Sequence, residues 1–295
     1  MGISDKTILF PNLHITLLNV GKNINIGGFT IAYYGIIIAI GMILAMFLIL
    51  HEAKRVGIKQ DDMMDVFLFA IIFGVAGARL YYVIFSWNLY KDNLISILYL
   101  REGGLAIYGG VIGGVLAILG VCLKKKLNFW KVIDLAAMGV LVGQICGRWG
   151  NFFNREVFGG YSDGLFAMGL PLSGIRSLDD VTMEMMQNTY KVGEFEFITV
   201  HPTFLYESLW NLGVLLFILW YRKRQKFYGE LFAFYLMLYG IGRFWIEGIR
   251  TDQLKLWNTD IPVSQVVAVL MIIGAVCYMI YMRRTHKQDI VKTTE

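Results

Sequence analysis

The 295-residue chain is poor in what a water-soluble fold of its size needs. Charged residues make up only 17% of it and prolines number four, against about 25% charged residues in ordinary soluble domains. So little charge also excludes intrinsic disorder. The three cysteines, Cys122, Cys146 and Cys277, all lie in apolar runs, and none stands in a C-x-x-C spacing. That argues against a disulfide framework and against a zinc site. Each reads as a small buried apolar residue, although Cys146, two residues before Arg148, can also line a cavity. No clustered metal ligands are evident, so no metal is expected. The glycine run Gly103–Gly114 is no phosphate loop: no lysine–serine pair follows it and no strand precedes it.

What the chain has in excess is apolar surface. The hydrophobic fraction is 57% and the mean hydropathy +0.57, against about 45–50% apolar in soluble proteins. A spanning helix needs about 20 mostly apolar residues. Seven runs qualify: Ile31–Leu50, Met63–Trp87, Gly104–Leu123, Val132–Phe153, Pro202–Tyr221, Glu230–Glu247 and Ile261–Met282. The expected fold is all-α, a polytopic membrane protein of seven transmembrane helices forming one integral membrane domain over residues 1–295. No signal peptide is expected before the first run. Neither a fixed-period repeat nor an inverted pair of broken helices is apparent.

The net charge of +5 then reads as loop charge that sets orientation, and no nucleic-acid partner is expected. One side of the membrane receives fifteen Lys and Arg: Lys54, Arg55, Lys59, Lys124, Lys125, Lys126, Lys131, Arg222, Lys223, Arg224, Lys226, Arg283, Arg284, Lys287 and Lys292. The other receives nine, including Arg101 and Arg155, spread over longer loops. The N-terminus is therefore expected outside and the C-terminus in the cytoplasm. The one long extramembrane stretch, 154–200, is acidic and turn-rich. It is expected to form a small extracytoplasmic cap between the fourth and fifth helices, too short for a large core of its own.

Three basic residues remain inside the spans: Arg79, Arg148 and Arg243. Charge in a bilayer is costly and usually functional. Under this orientation, Tyr34, the Gly103–Gly110 segment, His201, Tyr206, Glu207, Arg79, Arg148, Asn151, Asn154, Tyr239, Arg243 and Glu247 all fall in the outer half. One polar chamber opening outward is the economical reading. By contrast Asp65, Asp134 and Glu230 sit at cytoplasmic ends, where helix-start and interfacial roles suffice. Tyr239, Arg243, Glu247 and Arg250 share one helical face, and Arg243 can pair with Glu247, either to lock helices or to serve a site. Guanidinium forks and amides such as Asn151 and Asn154 match a phosphate, or they make a helix-end network. The glycines around Tyr108 permit tight helix packing, and a buried phenol there needs a partner. His201 before Pro202 is ordinary helix-start chemistry or a site residue. Arg79 either snorkels outward or neutralises a carboxylate.

The run Gly147-Arg148-Trp149-Gly150-Asn151-Phe152-Phe153-Asn154-Arg155-Glu156-Val157-Phe158-Gly159 resembles the signature G-R-x-G-N-F-x-N-x-E-x-x-G of the prolipoprotein diacylglyceryl transferases. These are bacterial membrane enzymes that lipidate lipoprotein precursors. Four further segments agree: Tyr33-Tyr34-Gly35, Gly103–Gly110, His201–Glu207, and Arg243-Phe244-Trp245-Ile246-Glu247 with Arg250. The resemblance extends from about Tyr33 to Arg250.

It implies transfer of the diacylglyceryl group of phosphatidylglycerol to the lipobox cysteine thiol of a preprolipoprotein, forming a thioether and releasing glycerol-1-phosphate. It implies a bacterial cytoplasmic membrane protein whose site faces the outer leaflet. Phosphatidylglycerol, a lipobox peptide and the bilayer would be its partners, with no cofactor. The family's functional residues carry over onto Arg148, Asn151, Asn154, Glu156, Gly159, Tyr34, Tyr239, Arg243 and Glu247. Many members have histidine, the suggested base, where Tyr108 stands. A phenol with a pKa near 10 is a poor base at neutrality, so Tyr108, His201 and the cationic field all stay open as the source of thiolate. The expected catalytic set is Arg148, Arg243, Tyr108, Glu247 and His201. The expected substrate-binding set is Tyr34, Asn151, Asn154, Glu156, Gly159, Tyr206, Glu207, Tyr239, Arg250 and Arg79. From composition alone the rival is a phospholipid or anion transporter, which would more often show duplicated halves or interrupted helices.

Overall fold

The computed structural model describes residues 2–100, 103–257 and 259–285. Arg101, Lys287 and Lys292, used above to set orientation, lie outside the described residues. All seven apolar runs are helical: α1 (Tyr33–Arg55), α2 (Gln60–Phe85), α3 (Ile107–Lys125), α4 (Phe129–Asn154), then, past a short α5 (Met183–Gln187), α6 (Thr203–Tyr221), α7 (Glu230–Ile249) and α8 (Val263–Thr285). Six of these are long and apolar enough to cross a membrane by length and composition. α7 is not among them; it carries Arg243 and Glu247, which lower its hydropathy. The helices expose many large apolar side chains, such as Ile40, Phe47, Phe69, Ile72, Leu116 and Leu270. A water-soluble surface rarely tolerates so much, whereas lipid does.

The chain divides into two compact units. Among the described residues, the first gathers the chain up to Ala45, Met138–Arg224 and residues 233–285. It corrects the all-α expectation. β1 (Ile8–Phe10), β2 (Ile15–Leu17), β5 (Met168–Pro171), β6 (Tyr190–Val192) and β7 (Phe195–Val200) form one antiparallel sheet in the order β2-β1-β5-β7-β6. A separate hairpin joins β3 (Asn23–Ile26) to β4 (Phe29–Ala32) through Gly27 and Gly28, both at positive φ, the pairing of residues such turns favour. The sheet closes a core of Ile8, Phe10, Met168, Leu170, Ile198 and Val200, into which Phe152, Phe158 and Phe204 pack. Residues 154–200 thus share their sheet with the N-terminal segment. Two N-terminal strands complete that sheet, because the apolar faces of β5 and β7 need cover that a stretch this short cannot supply for itself.

The second unit comprises Met46–Ala137 with Gln225–Phe232. Here α2 and α3 pack closely. A Cβ on Gly77 would lie 2.5 Å from the Gly109 carbonyl oxygen, so backbone meets backbone. Asp134 serves a helix start, as expected, but that of α7 rather than its own helix. Its buried carboxylate accepts from the backbone nitrogens of Gly229 (2.7 Å) and Phe232 (2.8 Å) and from Gln225 Nε2 (2.5 Å).

Candidate active site

Three helices of the first unit bring charge together. Arg148 lies in the last two turns of α4, Glu207 in the second turn of α6, and Arg243 and Glu247 near the end of α7, with Arg250 just beyond it. Glu207 is 3% exposed. Its Oε2 meets Arg148 Nη2 at 2.5 Å, its Oε1 accepts from Arg243 Nη1 at 2.9 Å, and Arg250 Nη1 lies 3.9 Å away. Glu247 pairs with Arg243 one turn before it and lies 3.6 Å from Arg250. Arg250 forms a two-pronged pair with Asp252 at 2.9 and 2.7 Å. Burial alone would lower the Arg250 pKa; the Asp252 hydrogen bonds with the Glu247 and Glu207 charges more than offset this and raise it.

Three guanidiniums thus face three carboxylates. The balance of charge hides an asymmetry of position. The Glu207 and Glu247 side chains are 3% and 2% exposed, whereas those of Arg148, Arg243 and Arg250 are 19%, 15% and 10% exposed. Glu207 and Glu247 form a buried floor that fixes the arginines, whereas Asp252, 24% exposed, holds Arg250 from the accessible side. Each fork carries five donors, and in a site of low polarity such donors attract an anion far more strongly than in water. Tyr239, one turn before Arg243, stacks on Tyr235 at 5.6 Å and interacts electrostatically with Arg148 and Arg243. Tyr34 packs beside Gly150, where a Cβ would strike its ring.

The turn after α4 forms a helix-end network, one of the two arrangements its sequence allows for Asn151 and Asn154. Both Nδ2 atoms donate to Glu156 Oε1, each at 3.0 Å, while Arg176 pairs with the other oxygen. The carboxylate gathers the amides because Arg155 and Val157, on either side of it, adopt positive φ of 53° and 60°. A left-handed β-branched residue is strained by about 1–2 kcal/mol. Thr203 Oγ1, donating to the Val157 carbonyl, helps hold it. Arg155, a loop charge by its place in the sequence, is buried and donates to the Val20 carbonyl at 2.5 Å. Gly159 closes the turn. Its nitrogen donates to the His201 carbonyl, and a Cβ there would lie 2.7 Å from His201 Cβ and 2.9 Å from the Ile249 carbonyl oxygen. No residue but glycine fits.

His201 follows β7, and Pro202 occupies the cap of α6 rather than its first turn. Burial pushes the His201 imidazole below its ordinary pKa, with Asp163 opposing weakly. Its Nδ1 lies 3.3 Å from the Tyr206 hydroxyl. A neutral imidazole can accept a proton.

Two expected site residues belong to the second unit. Tyr108, in the first turn of α3, is 43% exposed rather than buried, and its ring lies 6.5 Å from that of Tyr81. Arg79 neither snorkels nor meets a carboxylate. It is buried and donates to the backbone carbonyls of Ile97, Gly103, Gly104, Ser96 and Tyr99 at 2.7–3.4 Å. Gly103 and Gly104 reach it through positive φ of 87° and 74°. Arg79 thus clamps the loop that leads into α3.

A balanced floor of acids beneath a row of arginines suits an anionic substrate without naming one. The family model for prolipoprotein diacylglyceryl transferase matches residues 22–281. The chain belongs to this family. A phosphatidylglycerol–prolipoprotein diacylglyceryl transferase of Clostridioides difficile strain 630 is 39% identical over 263 residues, covering 89% of this chain and 95% of its own. Enzymes of the same name from Bacillus cytotoxicus and Halalkalibacterium halodurans are 40% and 41% identical, over 90% and 88% of this chain and 93% and 85% of theirs.

Around the family's signature the structure adds residues that sequence reasoning missed. Asp252 holds Arg250, Gln253 Nε2 donates to the Glu247 carbonyl at 2.5 Å, and Ser264 Oγ accepts from Arg243 Nη2 at 3.4 Å. Asp252 was visible in principle as an acid two residues after an arginine. Ser264 comes from α8, and nothing in its sequence neighbourhood points to Arg243.

Proposed function

We propose that this chain is a phosphatidylglycerol–prolipoprotein diacylglyceryl transferase of the bacterial cytoplasmic membrane, catalysing the first step of lipoprotein maturation. It would cross the membrane seven times, with α7 as the sixth span, the N-terminus and cap outside, and the active site toward the outer leaflet. The distribution of loop lysines and arginines supports that orientation. The cap would be a subdomain of one integral membrane domain.

The single observation that carries the reading is the row of Arg148, Arg243 and Arg250 held on buried Glu207 and Glu247. A phosphodiester entering between helices, its acyl chains still in lipid, would meet Arg148 and Arg243 first. The lipobox thiol loses its proton to a base, for which His201, with Nδ1 3.3 Å from the Tyr206 hydroxyl, is the proposed group; Tyr108 is the alternative. The thiolate attacks the glyceryl carbon that bears the phosphate ester. A carbon–sulfur bond forms, the carbon–oxygen bond breaks, and the electron pair leaves with glycerol-1-phosphate. The arginines stabilise charge developing on that oxygen. Glu207 and Glu247 position the arginines, and Glu156 positions Asn151, Asn154 and the turn to Gly159. Tyr34, Tyr206 and Tyr239 would line the path of the substrates.

Arg148→Lys is the decisive variant. It keeps the charge and removes the planar fork. Assayed with a lipobox peptide and phosphatidylglycerol, it should lose most activity; full activity would remove Arg148 from the phosphate site.

A further inference from the structure

Away from the arginine site, the second unit carries a cavity of about 690 Å³ along the face of α2 and α3. Its volume falls in the range of about 300–1,000 Å³ typical of small-molecule sites. Its walls are Phe69, Phe73, Leu116, Gly120 and Val121 toward one end, and Leu80, Tyr81 and Ile112 toward the other. Charge enters only at the first end, where Asp65, Lys124 and Lys125 line it. From Asp65 to Ile84 the groove follows nineteen steps of α2 at about 1.5 Å each, roughly 28 Å, close to the ~30 Å hydrocarbon core of a bilayer.

The charged end is unevenly occupied. Lys125 Nζ is held between Asp62 at 2.6 Å and Asp65 at 2.5 Å. Neighbouring Lys124 is exposed, and no acidic group pairs with it among the described residues. A long apolar groove ending in an uncompensated ammonium fits a molecule with a hydrocarbon chain and an anionic head. We infer that α2 and α3 form a resident-phospholipid site, with one acyl chain along Gly120, Leu116 and Phe73 and the phosphate on Lys124. Lys124 is among the loop basic residues that the proposed orientation puts on the cytoplasmic side, and the bound lipid is taken as structural rather than substrate. The inference needs only that α2 and α3 span the membrane, not that the chain is a transferase.

Gly120 provides a clean test. It lines the groove, and a Cβ added there meets nothing within 4 Å, so Gly120→Phe fills the groove without disturbing the helix pair. The full chain in nanodiscs would be exposed to phosphatidic acid bearing a photoreactive group midway along one acyl chain, then digested and mapped. Label should concentrate on Phe69–Phe73 and Leu116–Val121. It should fall at least tenfold in Gly120→Phe and several-fold in Lys124→Gln, with transferase activity retained in both. Leu116→Trp serves as the filling variant if Gly120→Phe fails to fold. Label spread evenly over all helices, or unchanged in the variants, overturns the site. Chain-to-chain cross-links through this face would instead assign the groove to a second copy. Competition by phosphatidylglycerol with consumption of the bound lipid would assign it to substrate entry, and either result defeats the inference.

Discussion

Replacing Glu207 with glutamine changes one atom type at the centre of the arginine row. The wild-type group balances three guanidiniums against Glu207, Glu247 and Asp252; the variant leaves one positive charge in excess. The substituted amide keeps an oxygen for Arg243, which sits 2.9 Å from the native carboxylate. It loses the charge attraction of Arg148 at 2.5 Å and the weaker one of Arg250 at 3.9 Å. Removing one partner of a buried pair costs about 3–5 kcal/mol, and at 3% exposure little water is at hand to offset it. Arg148 then has no fixed anchor, and displacement of a positioning group by about 1 Å costs on the order of 10²-fold in rate. Glu207→Gln should therefore unfold at lower temperature and lose about 10²-fold in kcat/KM in the two-substrate assay. Normal stability together with a normal rate would refute the view that the carboxylate floor holds the arginines.

Four other outcomes follow from the same geometry. Gly159→Ala should abolish activity by forcing the His201 strand end away, with a stability loss of about 1–3 kcal/mol readable by thermal unfolding. Arg79→Gln should raise hydrogen exchange in the segment that includes Ser96–Tyr99, because it frees carbonyls that Arg79 now binds; unchanged protection would deny the clamp. The unfolded chain binds a proton at His201 more tightly than the folded chain, since burial lowers the folded pKa. That contribution to stability is complete above the ordinary histidine pKa of about 6.5 and declines as pH falls below it; His201→Gln should flatten this slope in unfolding midpoints measured from pH 7.5 to 5. The same variant should lose activity with an altered pH profile if His201 is the base, whereas Tyr108→Phe should leave the profile unchanged.

Much of this was legible in the residues. Apolar runs placed seven helices to within a few residues, because about 20 apolar residues in sequence have few other uses. The 4, 4, 3 spacing of Tyr239, Arg243, Glu247 and Arg250 put them on one face, and Arg243 does pair with Glu247. What escaped was set by partners that the sequence does not mark. The strands around Leu9 and Gly169 are three and four residues long, too short to show a period, and their pairing joins the two ends of a 160-residue separation. Asn151 and Asn154 stayed open between phosphate donors and a helix-end network because the left-handed turn that brings Glu156 back to them carries no glycine to announce it. Arg79 read as a snorkelling charge or an ion-pair partner because carbonyls leave no mark in a sequence.

The central claim is that the arginine row serves chemistry, not transport. The most direct measurement is glycerol phosphate release from phosphatidylglycerol by the purified chain, with a lipobox peptide or its Cys→Ser counterpart as acceptor. Release that requires the cysteine, matches thioether formation one to one and falls in Arg148→Lys is the expected result. Movement of lipid or anion with no release, or release indifferent to the acceptor thiol, would contradict it.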